Sequence, residues 1–285
     1  MSELLQQWST ARRATIDAHL GSLFSDTWPQ SFGEMCRYPL LTGGKRMRPL
    51  LVLAAYEALA GSEELAPAMG PALSIELVHT YSLVHDDLPC MDDDDLRRGK
   101  PTVHSAFGEG SAVLVGDALL TEAFALVASS ETLNAETRLA ILGEISGAAG
   151  HLGMIGGQAV DLGLGPKVDN ADVLTRMHRA KTGALIRASC RMGALAAGAS
   201  PDQLAGLTRY GEAVGLAFQL ADDLLDLDQD AGPDGPPAFP KLIGVEATQH
   251  RAAELHQEAI ESLSFLGDRR AILEGLSVYT VERSE

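Results

Sequence analysis

Two clusters of aspartate carry the chemistry available to this chain. The first lies in His85-Asp86-Asp87-Leu88-Pro89-Cys90-Met91-Asp92-Asp93-Asp94-Asp95-Leu96-Arg97-Arg98-Gly99-Lys100-Pro101, with six aspartates inside 86–95. The second is Gln219-Leu220-Ala221-Asp222-Asp223-Leu224-Leu225-Asp226. At about 100° per residue, Gln219, Asp222, Asp223 and Asp226 share one helical arc of roughly 100°, while Leu220, Leu224 and Leu225 point elsewhere. Like charges at i, i+4 repel, so a helix gains nothing from such a face alone. Hard divalent cations offset that repulsion. Magnesium takes one or two carboxylates and completes its shell with water and phosphate oxygens. Two such faces looking at each other would hold a diphosphate between them. A solvated acidic surface accounts for one acidic run, but poorly for two, each attached to an amphipathic helix. A calcium loop built on Asp226, Asp228 and Asp230 fails, because Ala231 and Pro237 stand where Gly and Glu are needed.

The bulk properties agree with an anionic substrate held by metal. A net charge of −17 argues against nucleic acid and anionic membrane surfaces as partners. So acidic a chain holds an anion only through cations or a local basic cluster, and it offers both. Its 285 residues, 46% of them hydrophobic, suffice for one large domain or two small ones. Apolar stretches are broken by Glu, His or Asp within about a dozen residues, short of the roughly 20 that a membrane span needs. No stable membrane insertion is expected. The opening MSELLQQWSTARRATIDAHL does not read as a signal peptide. Cys36, Cys90 and Cys190 are odd in number and far apart, which argues against disulfides or zinc and for the reducing cytoplasm.

Positioning falls to helices. Apolar residues recur at three- and four-residue spacing over 3–21, 46–61, 67–88, 111–130, 134–150, 171–198, 201–229, 245–265 and 268–282. Strand signals are nearly absent, and no repeat or linker is visible. Gly61-Ser62, Asn134 and Ser200-Pro201 mark helix ends. AGPDGPPAFP at 231–240 is the strongest loop. Gly153, Gly156, Gly157, Gly183, Gly211 and Gly215 sit inside helical patterns and mark either close helix packing or backbone exposed to a ligand. The expected fold is all-α, a single large helical bundle.

Five segments in this order resemble the trans-prenyl diphosphate synthase family: GGKRMRP (43–49), DDLPCMDDDDLRRGKPTVH (86–104), GGQAVDL (156–162), HRAKTGALIRAS (178–189) and GLAFQLADDLLD (215–226). The similarity covers most of the chain. It implies one polyprenyl synthase domain over 1–285, an isoprenoid-synthase-like bundle around a large central cavity, and a cytoplasmic homodimer. The reaction implied is condensation of isopentenyl diphosphate with an allylic diphosphate. The cofactor implied is Mg2+, three ions per active site, with Mn2+ able to substitute.

Carried over residue by residue, the resemblance assigns Lys45, Arg48, His79 and Arg98 to the isopentenyl diphosphate. Asp86, Asp92 and Asp222 become the main metal ligands, with Asp87, Asp223 and Asp226 as further ligands or supports. Arg97 and Lys181 bind the allylic diphosphate, and Thr182 and Gln219 line the reaction centre. Plainer readings stand beside these. Lys45 and Arg48 also suit a basic helix start, His79 a core histidine, Lys181-Thr182 a surface pair and Gly156-Gly157-Gln158 a packing site.

Tyr81 and Ser82, just before the first aspartates, correspond to the floor of the family's hydrocarbon tunnel. A bulky Tyr81 with the Pro89-Cys90 insertion resembles bacterial farnesyl synthases, which stop at fifteen carbons. The helical wheel places Ser82 directly below Asp86 and Tyr81 to the side, which leaves a geranylgeranyl product open. One departure stands out. Pro236 occupies the place of a lysine that touches the allylic diphosphate, the loop is shortened, and Lys241 comes five residues later. A non-catalytic partner subunit is the alternative this raises. A terpene cyclase is disfavoured, because cyclases lack the second all-aspartate motif and the basic pair.

Overall fold

Three- and four-residue apolar spacing gives helices nearly throughout. A computed structural model describes residues 2–228 and 235–281. Among these the helices are α1 (Glu3–Ser22), α2 (Gln30–Leu40), α3 (Met47–Ala60), α4 (Ala66–Asp86), α5 (Val103–Phe107), α6 (Glu109–Ala128), α7 (Ala135–Ala149), α8 (Met154–Asp161), α9 (Ala171–His178), α10 (Ala184–Ala196), α11 (Pro201–Leu225), α12 (Phe239–Ile243), α13 (Val245–Ser262) and α14 (Ala271–Val281). The helix expected over 171–198 is present, but a π-helical turn, Arg179–Gly183, widens it between α9 and α10. Ser200 and Gln203 form a reciprocal capping box on α11, and the Asn134 side chain accepts from the Thr137 N–H at the start of α7.

Periodicity misses α2, α5, α8 and α12. Pro39 interrupts the pattern of α2, and five residues are too few for a 3.6-residue period to repeat in α5 or α12. One two-stranded hairpin, Leu96–Arg97 against Lys100–Pro101, sits within the first aspartate cluster. Residues 231–234 of the expected loop, with Asp230 of the calcium-like spacing, lie outside the described residues.

Two deeply buried helices organise the bundle. In α3, Leu51, Val52, Leu53, Ala54 and Ala55 are buried in succession, and α10 buries Leu185, Ile186, Ala188, Cys190 and Met192. Glu57 on α3 and Arg187 and Arg191 on α10 keep ion pairs at the margins, while the apolar remainder of each helix must be covered on both sides. Accordingly, α3 and α10 form a wall between two cores. Leu50, Val52, Leu53, Leu185 and Met192 face a core shared with α4, α6 and α7. Leu51, Ala54, Ile186, Cys190 and Ala194 face one shared with α11, α13 and α14.

By length and composition alone, α6 and the stretch 135–161 suffice to cross a bilayer, which the sequence reading does not anticipate. Both are layers of this bundle, with α6 packed on α2, α4, α5 and α7.

Candidate active site

A cavity of about 520 Å³ lies between α4, α8 and the π turn. Tyr81, Met91, Leu120, Met154, Ile155 and Leu164 give it an apolar lining, and Arg48, His79, Asp86, Lys181 and Thr182 give it charge and polarity. Charged groups beside an apolar hollow suit an amphiphile with an anionic head and a hydrocarbon tail.

Asp86 is the last residue of α4 and Asp87 caps it. Pro89 prevents continuation of the helix. The chain instead folds back: Met91 N–H donates to Leu88 O (2.8 Å), and Asp92 N–H to Asp86 O (2.8 Å). Asp93 closes this spur in the left-handed region (φ 56°). Asp92 is thereby returned to the side of Asp86, six positions earlier. Burial chiefly pushes the Asp86 carboxyl up to about 6; Lys181 opposes the rise, while Asp92 and Asp87 add to it. Like charges drawn into a half-dry site make a place for a cation.

Asp87 turns the other way. It is 3% exposed, and Arg97 donates to its Oδ1 from Nε at 2.7 Å. Arg97 also bridges Asp94 at 3.2 Å. Asp87, Arg97 and Arg98 line a neighbouring crevice, with Leu83 bordering both spaces. Burial raises the Asp87 pKa although Arg97 pulls against it. Arg98, itself left-handed (φ 54°), donates to the Gly43 carbonyl and so ties the hairpin to the basic loop before α3. Non-glycine residues in this region cost free energy, and they collect where geometry is over-determined.

The second cluster meets the cavity through the π turn. Thr182 Oγ1 donates to Gln219 Oε1 (3.0 Å), and Gln219 Nε2 to Asp222 Oδ2 (3.4 Å). Gly215 permits this proximity, because a Cβ there would press on the Gly183 backbone. Gly157 lies closer still to the Lys181 backbone, so both glycines serve close packing. Asp223 Oδ2 accepts the Phe239 N–H (2.8 Å), with His178 Nε2 at 3.7 Å. Asp226 is exposed at the end of α11.

Arg48, His79, Tyr81, Ser82, Asp86, Lys181 and Thr182 therefore share one cavity, and Gln219 and Asp222 join through Thr182. Lys45 is not brought there. It borders a different small cavity with Leu5, Met47 and Tyr279. His79 is held well below the usual histidine range by burial and then by Arg48, Arg98, Arg97 and Arg46, so it acts as a neutral imidazole.

Several contributing residues have no clear mark in the sequence. Arg46, in the basic motif, is buried and left-handed (φ 52°); it binds Glu76 (2.7 Å), Asp17 (2.8 Å) and the Leu40 carbonyl (2.5 Å). Asp161 holds Lys181 Nζ at 2.5 Å. Gln158 lines the cavity with its Oε1 buried and without a hydrogen-bond partner. Lys241, five residues after Pro236, reaches back to donate to the Pro236 carbonyl (3.0 Å).

Among the described residues, no three His, Cys, Asp or Glu side chains converge to hold a metal by themselves. The donor set fits magnesium all the same, because Asp86, Asp92 and Asp222 offer hard oxygens and leave positions for water and phosphate.

Comparison with known proteins identifies the family. Residues 29–239 match the family model described as polyprenyl synthetase. The chain is 42% identical to farnesyl diphosphate synthase of Escherichia coli K12 over 88% of this chain and 89% of that one. It is 43% identical to the chloroplastic geranylgeranyl pyrophosphate synthase 11 of Arabidopsis thaliana, over 88% and 74%. The solved geranyltransferase of Legionella pneumophila superposes with a TM-score of 0.89 at 34% identity, over 99% and 98%. With the family model covering most of its length, the chain belongs to the polyprenyl synthetase family.

Proposed function

We propose that this protein condenses isopentenyl diphosphate with dimethylallyl and then geranyl diphosphate to give farnesyl diphosphate and diphosphate. The observation that carries this reading is the placing of Asp86 and Lys181 on the lining of one apolar cavity, with Asp222 reached through Thr182 and Gln219. Asp86, Asp92 and Asp222 would hold Mg2+, with Asp87, Asp223 and Asp226 behind them. When bound, the cations neutralise charge that develops on the departing diphosphate.

The remaining work belongs to the chain's own residues. Lys181 and Arg97 hold the allylic diphosphate as the C–O bond breaks and its electron pair leaves with the diphosphate. Arg48, His79 and Arg98, with Lys45 once its side chain swings round, hold the isopentenyl head so that its double bond faces the new cation. A carbon–carbon bond forms, a proton leaves the adjacent carbon, and the departed diphosphate is the acceptor at hand. Thr182 and Gln219 direct their oxygens at the reaction centre. Tyr81, Met154 and Ile155 keep water from the cation.

Farnesyl length is supported by buried Tyr81 on the cavity lining and by the 89% coverage of the bacterial relative. A geranylgeranyl product is the second reading, favoured by the chloroplastic relative. The working unit is a cytoplasmic homodimer, for which light scattering should give twice 30.1 kDa.

Incubation with labelled isopentenyl diphosphate, geranyl diphosphate and magnesium tests the reaction. A fifteen-carbon product is expected, a twenty-carbon one revises the length, and none at any allylic length rejects it. Asp86→Ala should abolish turnover with helical circular dichroism intact.

A further inference from the structure

Tyr81 and His85 stand one helical turn apart on α4, and both line the cavity. Tyr81 is 6% exposed, and its hydroxyl is buried without a hydrogen-bond partner. Packing alone therefore decides where its ring rests. The closest aromatic neighbour is the His85 imidazole, edge-on at 5.8 Å between centroids and 84° between planes. Such edge-to-face pairs are directional, so the position of one ring constrains the other.

His85 is itself fixed from α6. Its Nε2 lies 3.2 Å from the Val113 carbonyl oxygen, which can only accept, so Nε2 carries the proton and donates. The imidazole occupies the space above Gly116, where a Cβ would overlap Nε2 and Cδ2. The constraints run in series: Gly116 makes the room, Val113 orients His85, and His85 blocks Tyr81 from swinging away from the cavity.

We propose that His85, seated on Gly116 and braced by the Val113 carbonyl, is a specificity-positioning residue that sets where chain growth stops by holding Tyr81 against the tail. The inference rests on the prenyl-transfer reading. A hydrocarbon lengthening by one isoprene unit per cycle ceases to fit when the wall does not yield. With no hydrogen bond on its hydroxyl, Tyr81 yields once His85 is displaced.

The test is product analysis of the full chain with magnesium, isopentenyl diphosphate, and geranyl or farnesyl diphosphate. His85→Ala empties the seat, Gly116→Ala pushes the ring out of it, and His85→Phe keeps a ring edge against Tyr81 without the donor. The ratio of twenty- to fifteen-carbon product should rise about three- to tenfold in His85→Ala and Gly116→Ala, as expected for loss of one aromatic pair, and less in His85→Phe. Calorimetric affinity for geranylgeranyl diphosphate should rise in the same order. A merely structural role would lower the melting temperature and total turnover and leave both readouts unchanged. Should His85→Ala not fold, Gly116→Ala against His85→Phe decides. Folded, active variants with the parent's ratio and affinity overturn the proposal, whereas an inactive parent rejects the synthase reading itself.

Discussion

The backbone N–H of Asp92 donates to the carbonyl oxygen of Asp86 across 2.8 Å. This bond converts an acidic run into a paired-carboxylate site, because residues six apart would not otherwise stand together past a proline. Burial first, and the pairing with Asp92 second, push the Asp86 carboxyl up to about 6 against the pull of Lys181.

A raised carboxyl pKa means that the folded protein binds a proton more tightly than the unfolded chain. Stability then falls as pH rises from about 4 to about 6, where the charge appears in the fold. Asp86→Asn should therefore raise the melting temperature at pH 7, and that gain should vanish as pH falls from 6 to below 4. Magnesium should bind the free protein more weakly as pH drops below about 6, when the proton competes with the cation for Asp86. Calorimetric melts without metal and magnesium titrations at several pH values check both.

Asp161 grips the Lys181 ammonium at 2.5 Å, both groups about one-third exposed. A pair so placed adds less than about 1 kcal/mol to stability. Its worth is orientation. Asp161→Asn should raise KM for the allylic diphosphate several-fold with an unchanged melt. Lys181→Ala should lower kcat by about a hundredfold or more. Steady-state kinetics with varied geranyl diphosphate separate these effects.

Arg46 and Glu76, 4% and 3% exposed, form a buried ion pair beneath the basic loop. Burial opposes the charge on Arg46, and Glu76 with Asp17 more than offsets it. Glu76→Ala leaves that charge with the half-exposed Asp17 as its remaining carboxylate partner and should cost about 2–4 kcal/mol. The double variant Arg46→Met, Glu76→Leu should cost less than Glu76→Ala alone. Denaturant titration of the variants measures the difference.

Asp223 already spends one carboxylate oxygen on the Phe239 N–H, whereas Asp222 is linked through Gln219 to Thr182 on the cavity lining. Asp222→Asn should reduce kcat by about a hundredfold or more. Asp223→Ala should mainly speed hydrogen exchange over Phe239–Ile243, with magnesium activation shifted far less. Exchange mass spectrometry and magnesium titrations distinguish the two neighbours.

The helical bundle was legible in the sequence because its signal is local. Spacing of apolar residues, Asn134 and Ser200 as caps, and the glycine at 61 act within a few positions, so α3, α4, α6, α7, α11 and α13 fall near their expected bounds. Short α5 and α12 were not legible, since their helical state comes from what they pack against. The two carboxylate clusters were visible because metal binding restricts residue type, whereas Lys181 and the arginines were singled out by the resemblance to the family.

The sequence by itself determined the helical class, the acidic faces and the kind of ligand they suit. Tertiary structure alone decided the partners: that Asp92 returns to Asp86, that Asp87 belongs to Arg97, that Lys45 points elsewhere, and that His85 leans on Tyr81 over Gly116. The physical reason is distance along the chain. Type and period are properties of a few consecutive residues, whereas a side chain's direction is settled by which remote element fills the space beside it.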